Sequence, residues 1–312
     1  MSDASGRGPG ATGIGIVGLG NMGGRIARRL VAAGYSLVGY DVEPRRIAEA
    51  GVRPGETVAA VAGDADVVLL SLPDSSAVEA VVLGEDGILA HAREELVVVD
   101  LTTAAPSSTV RLHAALAERG VTLIDAGVSG GAAAAEAGTL TIMAGGPGEA
   151  LDRVRWALEP FSGKVFHVGQ SGAGHTVKLL NNFLNATSLA ATAEVMVAAR
   201  KAGLDLGTVL DVINAGSGIN FAWLHRFPHI INGDYLEGGL TGRLMMKDVQ
   251  LYVDHLASLG VPSLNAAGPL ACFGLANNSG YRDQISNRVV DAIGDIAGGV
   301  RLHDPHTTQE ER

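Results

Sequence analysis

Apolar residues in the first half of the chain fall into short continuous runs, separated by segments with a helical repeat. The runs predict strands at residues 13–17, 36–40, 67–71, 96–100, 121–124, 140–144 and 165–168. The segments between most of them predict helices at residues 22–33, 45–50, 75–83, 106–119 and 148–158. Apolar strands that alternate with helices are typical of a mostly parallel sheet covered on both faces. The first half therefore predicts a doubly wound α/β domain.

The second half of the chain predicts helices only. Its apolar positions recur at helical spacing in windows at residues 173–202, 206–214, 221–232, 240–259, 264–278 and 286–297. The change of pattern predicts an α/β domain at residues 13–172 and an all-α domain at residues 173–300, joined by the long first helix of the second half. Residues 1–12 and 301–312 predict loose tails, because neither segment carries a periodic apolar pattern.

Composition narrows the class of protein. The chain has 312 residues, of which 47% are hydrophobic, and a formal net charge of -10. Its lysines and arginines are scattered along the chain, so we expect no nucleic-acid partner. Polar residues interrupt the longest apolar helix, so we expect no membrane span. The single cysteine, Cys272, fits a reducing, cytoplasmic location.

A glycine-rich turn with the spacing G-x-G-x-x-G follows the first predicted strand and opens a helix. Its glycines permit a tight turn and a close backbone approach to a pyrophosphate at the helix N-terminus. Asp41 ends the next predicted strand, 18 residues after the last glycine, where an acid binds the ribose 2′-hydroxyl of a dinucleotide. The candidate cofactor-binding residues of this part are Gly18, Leu19, Gly20, Asn21, Met22, Gly23 and Asp41.

The identity of the dinucleotide depends on the charges after the second strand. Asp41 and Glu43 favour NAD over NADP, because their charges would repel a 2′-phosphate. Arg45 and Arg46 are close enough in the chain to accommodate that phosphate, although they also suit a solvated first helical turn. The sequence predicts NAD as the preferred cofactor and leaves NADP open.

Lys178 is the candidate catalytic residue. The chain has four lysines against nineteen arginines, and Lys178 stands among apolar residues in a predicted helix. Unlike arginine, lysine can lose its proton in a dry site and act as a general acid or base. The alternative is a lysine whose stem packs on the helix while its amine reaches water. Asn182 follows four residues later and so shares the helix face of Lys178, although it could also be a packing amide.

A second glycine pair follows the predicted strand near residue 124. Ser129 supplies a hydroxyl there, and Gly130 and Gly131 let backbone N–H groups face a ligand such as a carboxylate. A tight turn between two strands explains the same residues equally well.

Several motifs in this order resemble those of the β-hydroxyacid dehydrogenases, the family of 3-hydroxyisobutyrate dehydrogenase and tartronate semialdehyde reductase. The motifs are the glycine-rich turn, Leu72-Pro73, Asp100-Leu101-Thr102-Thr103, Ser129-Gly130-Gly131, the run G-x-x-x-K-x-x-N-N at residues 174–182, and Lys247-Asp248. The resemblance runs from residue 13 to about residue 293. It is specific to the superfamily rather than to a substrate.

The resemblance implies a Rossmann domain, a long interdomain helix and an all-α domain that forms homodimers or homotetramers. It implies hydride transfer between NAD(P) and a small 3-hydroxy acid or semialdehyde, with Lys178 as general acid/base. The sequence itself predicts no metal site, because Pro228 disturbs the helix between His225 and His229 and no third ligand is evident. The resemblance implies that the substrate contacts Ser129, Gly130, Gly131 and Asn182. It also implies cofactor contacts from Leu72, Pro73, Thr103 and Lys247. Lys247 could instead be a surface ion-pair partner of Asp248 or Asp254.

The chain departs from the family pattern at Gly127, where the family carries proline. We expect this change to loosen a turn, and to affect the substrate pocket more than the chemistry. The segment 217–223 lies where family members vary with substrate.

Two alternative functions stay open. One is an oxidoreductase of the same superfamily for imines, four-carbon aldehydes or β-hydroxy amino acids. The other is a non-catalytic cofactor-binding module used for assembly. Imine-reducing relatives and such modules lack the lysine, so Lys178 argues against both.

Overall fold

The computed structural model describes residues 13–303. Of the tails predicted at residues 1–12 and 301–312, residues 1–12 and 304–312 lie outside the described residues. The chain divides into two compact units, Met1–Lys178 and Leu179–Arg312, and the division falls inside the long helix at Ala173–Lys201. The domain limits inferred from the sequence stay predictions.

Unit 1 is a sheet of eight strands with helices between them. The strands are β1 (Ile14–Val17), β2 (Leu37–Tyr40), β3 (Arg53–Pro54), β4 (Val67–Leu70), β5 (Val97–Asp100), β6 (Thr122–Ser129), β7 (Leu140–Gly145) and β8 (Ser162–Gly169). The helices are α1 (Gly23–Ala32), α2 (Pro44–Ala50), α3 (Val58–Asp64), α4 (Ser75–Leu83), α5 (Ile88–His91), α6 (Pro106–Ala117), α7 (Gly131–Ala137), α8 (Gly148–Leu158) and the start of α9 (Ala173–Lys201).

The sheet order is β3-β2-β1-β4-β5-β6-β7-β8, and every pair is parallel except β6 with β7. The predicted doubly wound, mostly parallel sheet is confirmed. The chain order reverses between β1 and β4. In such sheets ligands bind outside the carboxyl ends of the strands at that switch point.

Both faces of the sheet are buried, which explains the continuously apolar strands. Val67 and Leu69 of β4 belong to one apolar cluster, together with Ile26 of α1. Val68 and Leu70 belong to a cluster on the other face. Because successive side chains of a strand point to opposite faces, a strand covered on both sides must be apolar at every position.

One strand and three helices were missed by the sequence analysis. They are β3, α3, α5 and α7. The two-residue strand β3 ends in Pro54 at the sheet edge, and it is too short to show a pattern. The helix α7 covers the alanine run at residues 132–135, where an unbroken run of small residues gives no amphipathic periodicity.

Unit 2 contains the rest of α9 and six further helices within the described residues. They are α10 (Leu206–Asn214), α11 (Phe221–His225), α12 (Phe227–Ile230), α13 (Gly242–Ser258), α14 (Ala267–Asn278) and α15 (Val289–Ile296). One continuous helix predicted at residues 221–232 is wrong, because the chain breaks at Arg226 between α11 and α12. Pro228 lies in the first turn of α12, where its missing N–H costs nothing, rather than inside a long helix.

The core of unit 2 extends further along the chain than expected. Leu302, placed by the sequence analysis in a loose tail, exposes only 4% of its surface and belongs to this core. An apolar side chain of that size gains free energy on burial and so holds residues near it against the helices. None of the helices within residues 13–303 is both long enough and apolar enough to cross a membrane.

Candidate active site

The predicted cofactor-binding segments lie side by side at the carboxyl ends of the strands. The last residues of β1, β4 and β5 are in register, with Val17 opposite Leu70 and Leu70 opposite Asp100. The glycine-rich turn, the Leu72-Pro73 loop and the Thr102-Thr103 loop therefore leave the sheet side by side. The Leu72 N–H donates to Thr102 Oγ1 at 3.1 Å, which ties the second loop to the third.

Glycine is required at two positions of the first turn. Gly18 has a φ of +89°, and a Cβ there would collide with the Ser71 carbonyl oxygen. A Cβ on Gly23 would collide with the Gly18 carbonyl oxygen. At Gly20 the nearest atom to a Cβ would be Arg46 Nη1 at 3.8 Å, so that position is not crowded. The turn is thus closed towards the protein at Gly18 and Gly23 and open at Gly20.

Asp41 connects the end of β2 to this turn. Its side chain is buried, and Oδ2 accepts a hydrogen bond from the Leu19 N–H at 2.7 Å. Oδ1 accepts one from the Glu43 N–H at 2.8 Å. A carboxylate oxygen has more than one acceptor site, so these bonds leave acceptor capacity for a ribose hydroxyl.

Arg45 and Arg46, the two arginines because of which the sequence did not exclude NADP, differ in their surroundings. Arg46 pairs with Glu43 at 2.7 Å and approaches Asp41 to 3.6 Å. Arg45 is largely exposed and pairs with Glu43 at 3.3 Å. The charge of Arg46 is therefore balanced by two carboxylates, which would compete with a 2′-phosphate.

A cavity of about 280 Å³ lies against the turn. Its lining residues are Leu19, Gly20, Asn21, Arg25, Arg28, Arg46 and Glu49. Three guanidinium groups against one carboxylate make this an environment for an anion, and arginine is well suited to bind phosphate. The cavity fits a phosphate-bearing cofactor at the turn.

The start of α9 rests directly on β6 and β7. Asp125 of β6 is fully buried, and its carboxylate accepts the Gly172 and His175 N–H groups at 2.8 Å each. A Cβ on Gly174 would collide with the Asp125 and Met143 carbonyl oxygens. A carboxylate at a helix N-terminus satisfies free N–H groups and matches the positive end of the helix dipole.

Lys178 follows on the next turn of α9 and exposes only 9% of its surface. A Cβ on Gly127 would lie 2.6 Å from Lys178 Cβ and 3.0 Å from its Cγ. Gly127 is part of β6 and pairs with Met143, so the expectation of a loosened turn at this position is wrong. The glycine instead lets the strand approach the stem of Lys178, the candidate catalytic residue.

The predicted carboxylate cradle begins where β6 ends. Ser129 follows Gly127 by two residues, or about 7 Å along an extended strand. Gly130 and Gly131 have φ values of +125° and +70°, a conformation that favours glycine. The structure thus brings Lys178 beside the strand that leads into Ser129, Gly130 and Gly131.

His175 is a site residue that the sequence analysis did not assign. It is fully buried, with Nδ1 at 2.7 Å from Thr109 Oγ1 and Nε2 at 3.2 Å from the Asp100 carbonyl oxygen. Asp100 Oδ1 accepts the Thr102 N–H at 3.0 Å. The network links α6, the loop after β5 and the helix of Lys178. Its signal in the sequence was the pair of aspartates at positions 100 and 125, since buried carboxylates need donors such as the His175 N–H.

Unit 2 holds the remaining predicted site residues. Asn182 is buried, and its Nδ2 donates to Asp248 Oδ2 at 2.5 Å. Lys247 Nζ lies 3.1 Å from Asp248 Oδ1. Lys247 is therefore an ion-pair partner of Asp248, and this carboxylate is buried at 1% exposure rather than on the surface. Asp248 brings Asn182 and Lys247 together, and Asn182 lies one helical turn after Lys178 on α9.

No group of three or more His, Cys, Asp or Glu side chains within the described part of the chain lies close enough to hold a metal ion.

Comparisons with known proteins agree with this geometry. The family profile of the NAD binding domain of 6-phosphogluconate dehydrogenase matches residues 13–169. The profile described as NAD-binding of NADP-dependent 3-hydroxyisobutyrate dehydrogenase matches residues 172–293. The chain is 36% identical to 3-hydroxyisobutyrate dehydrogenase of Pseudomonas aeruginosa, over 86% of this chain and 90% of that protein. The chain belongs to the β-hydroxyacid dehydrogenase family.

Two further relatives show the range of this family. The chain is 34% identical to 2-(hydroxymethyl)glutarate dehydrogenase of Eubacterium barkeri, over 80% of this chain and 84% of that protein. It also matches a solved structure of 3-hydroxyisobutyrate dehydrogenase of Mycobacterium tuberculosis with L-serine, at a TM-score of 0.80 and 31% identity, over 89% of this chain and 98% of that one.

Membership confirms the predicted family, the binding of NAD or NADP and the hydroxyacid dehydrogenase activity. The roles of individual residues, Lys178 above all, stay predictions.

The close approach of β6 to Lys178 gives a first testable prediction. Gly127→Ala places a methyl group 2.6 Å from Lys178 Cβ, an atom that cannot move without shifting α9, and 3.0 Å from Cγ, which can move only by changing the rotamer of the lysine. A displacement of this kind can cost up to about 100-fold in turnover, so we expect kcat to fall by about 10- to 100-fold. Steady-state kinetics measures the fall. Gly63→Ala is the matched control, since a Cβ at Gly63 meets nothing within 4 Å.

The outcome that contradicts this contact is a Gly127→Ala protein with wild-type kcat and wild-type thermal stability.

The buried network of His175 gives a second prediction. His175→Phe fills nearly the same volume but leaves Thr109 Oγ1 and the Asp100 carbonyl without their partner, a loss of about 1–3 kcal/mol for each such group. We expect kcat to fall about tenfold or more, with a smaller change in KM for the cofactor, because the network supports the helix of Lys178. His175→Asn, which keeps a polar atom near Nδ1, should lose less.

Phe161→Leu serves as the control for stability alone, since Phe161 is fully buried in the core of unit 1. It should lower the melting temperature while the folded enzyme keeps its kcat. The same behaviour in His175→Phe would show that the histidine only stabilises the fold.

Proposed function

We propose that the protein interconverts a small 3-hydroxy acid and its semialdehyde with NAD(P), and that Lys178 carries the proton of the reacting hydroxyl. The observation that supports this most is the burial of Lys178 beside Gly127, on a helix start held by Asp125. A lysine held in that way is withdrawn from bulk water and fixed in position. Both properties favour a lysine that transfers a proton in the reaction over a lysine that only solvates the protein surface.

The residues along the carboxyl edge fit a nicotinamide dinucleotide. The glycine-rich turn and Asp41 would hold its adenosine half, and Leu72, Pro73 and Thr103 would line the path towards its nicotinamide. When bound, the cofactor supplies the hydride acceptor or donor. The protein supplies placement of the two reactants and the proton.

Lys178 would act in both directions. In the oxidation, its neutral amine accepts the proton of the substrate hydroxyl. In the reduction, the ammonium returns that proton to the carbonyl oxygen.

The other residues would orient the substrate. Ser129 and the N–H groups of Gly130 and Gly131 would bind its carboxylate. Asn182 uses one amide N–H on Asp248, so its second N–H is available for the reacting oxygen. Lys247 would hold Asp248 in place through their ion pair, and we retain its predicted contact with the cofactor as part of the proposal.

We further propose that the enzyme is a cytoplasmic homodimer or homotetramer assembled through unit 2. Among the described residues, twelve of the seventeen exposed large apolar side chains lie in unit 2, for example Leu184 at 65% and Val212 at 64% exposure. Exposed apolar surface concentrated in one part of a protein is typical of an interaction site.

The function is tested by following reduction of NAD or NADP with a panel of hydroxy acids. The panel is 3-hydroxyisobutyrate, L-serine and 2-(hydroxymethyl)glutarate, together with the semialdehyde of the first compound in the reverse direction. Turnover of at least one acid supports the proposal. Tight cofactor binding without turnover of any of them would favour the non-catalytic module.

Lys178→Ala and Lys178→Arg test the proton carrier. Loss of a general acid or base lowers turnover by about 10²- to 10⁴-fold, and we expect a loss in that range. Binding of NADH, measured by fluorescence titration, should remain nearly unchanged. Lys164→Ala is the control, because Lys164 is an exposed lysine of the same unit. Near-normal turnover of both Lys178 variants would remove this residue from the mechanism.

Asp41→Ala tests the cofactor preference. We expect the wild type to favour NAD, and the variant to lower the ratio of kcat/KM for NAD to that for NADP by about 10-fold or more, the effect of a charge-assisted hydrogen bond. The variant also removes the acceptor of the Leu19 N–H, which can lower kcat/KM for both cofactors equally, and such a common decrease cancels in the ratio. Asp64→Ala removes an exposed ion pair with Arg53 and serves as control. An unchanged ratio would show that Asp41 does not bind the ribose.

A further inference from the structure

We propose that Arg226 binds a second carboxylate of the substrate, so that the preferred substrate is a hydroxy diacid. This inference rests on the proposed function and names the substrate class more closely.

The side chain of Arg226 is partly buried and has lost part of its hydration. Arg226 lies at the break between α11 and α12, and burial lowers the pKa of its side chain to about 10. The group is still protonated at neutral pH. A permanently charged group in a poorly hydrated place raises the free energy of the protein unless an opposite charge compensates it.

The partners of Arg226 are neutral. Nη1 donates to Asn287 Oδ1 at 2.7 Å, and Nη2 donates to Asn185 Oδ1 at 2.9 Å. The Asn287 amide is itself fixed, because its Nδ2 donates to the Tyr235 carbonyl at 2.8 Å. No carboxylate within residues 13–303 forms an ion pair with this arginine. The amides therefore orient the guanidinium without neutralising its charge.

Arg288 of the same unit shows the contrast. It pairs with Asp291 at 3.0 Å and with Glu237 at 3.4 Å. Burial acts to lower the pKa of Arg288, but its carboxylate partners raise it overall. Arg288 has the carboxylate partners expected of a structural arginine, whereas Arg226 has two amide oxygens and the ring of Phe221, whose centroid lies 5.8 Å from its Cζ.

Arg226 also has donors to spare. A guanidinium carries five N–H groups in a planar fork. Two of them bind the asparagines, and the other three make no hydrogen bond to residues 13–303. A carboxylate matches this fork in geometry and charge, and it would bind with two parallel hydrogen bonds.

The position of Asn185 relates this group to the reacting centre. Asn185 follows Lys178 by seven residues on α9, which is two turns, or about 10 Å along the helix axis. Residues spaced by four and then three share one face of a helix, so Lys178, Asn182 and Asn185 form one stripe. An acid group a few carbons beyond the reacting hydroxyl suits that separation.

A pair of substrates isolates the second carboxylate. In both 3-hydroxyisobutyrate and 2-(hydroxymethyl)glutarate, one carbon bears a hydroxymethyl group and a carboxylate. They differ at that carbon, where the first compound has a methyl group and the second a two-carbon arm that ends in a carboxylate. We expect the wild type to favour the diacid in kcat/KM.

Substitutions of Arg226 then test whether this residue binds the second carboxylate. Arg226→Met should lower the ratio of kcat/KM for the diacid to that for the monoacid by about 10- to 100-fold, the worth of a hydrogen bond between charged groups. Arg226→Lys keeps the charge but loses the fork, so its ratio should be intermediate. Arg243→Met is the matched control, because Arg243 is an exposed arginine of unit 2 that pairs with Asp283, and its ratio should equal that of the wild type.

Binding without turnover separates this inference from the proposed function. Glutarate should raise the melting temperature of the wild type and of Arg243→Met but not that of Arg226→Met, and acetate should raise none of them. Equal ratios in wild type and Arg226→Met, or an equal glutarate shift in both, would overturn the role of Arg226. Failure to oxidise any hydroxy acid would overturn the proposed function instead, and the glutarate shift would still decide whether Arg226 binds a carboxylate.

Discussion

The contact between the first turns of α9 and the strands β6 and β7 is the constraint on which the candidate site depends. Asp125 binds two N–H groups of the helix start, and Gly127 and Gly174 leave no side chain between helix and sheet. Main chain packed on main chain has little freedom to slide, because the interior is close-packed and each shift brings atoms into collision. Lys178 lies on the next turn of α9. The packing of the helix start on β6 and β7 therefore fixes where the main chain of Lys178 lies.

Buried carboxylates hold the other parts of the site together in the same way. The Asp41 carboxylate connects the glycine-rich turn to the end of β2, and the Asp100 carboxylate accepts the Thr102 N–H. The main-chain carbonyl of Asp100 contacts His175 Nε2. Asp248 connects Asn182 to Lys247. A buried carboxylate is unfavourable without donors, so each of these residues specifies its partners as well as stabilising them. Arg226 differs from these residues, since it is a partly buried cation that forms no ion pair with a carboxylate of residues 13–303.

Much of the fold could be predicted, because the periodicity of apolar residues reports burial directly. The parallel sheet and the helical second half follow from the runs at residues 13–17 and 67–71 and from the helical windows after Gly172. The break at Arg226 could not be predicted, because the apolar pattern continues across it and only Pro228 indicated a local end. The turn expected at Gly127 was wrong for a similar reason, since a glycine in a sequence indicates a turn until its partner in the neighbouring strand is known.

The sequence by itself indicated the dinucleotide-binding turn and the family, and it predicted Lys178, Asn182 and Ser129 as site residues. These depend on local spacing: where a strand ends, where a helix starts, and which residues share a helix face. Only the tertiary structure decided that Gly127 lies against Lys178, that His175 joins α6 to the loop after β5, and that the hydrogen-bond acceptors of Arg226 are amide oxygens instead of carboxylates. Each of these contacts joins segments far apart in the chain, and burial, which sets the cost of an unpaired charge, exists only once the chain has folded.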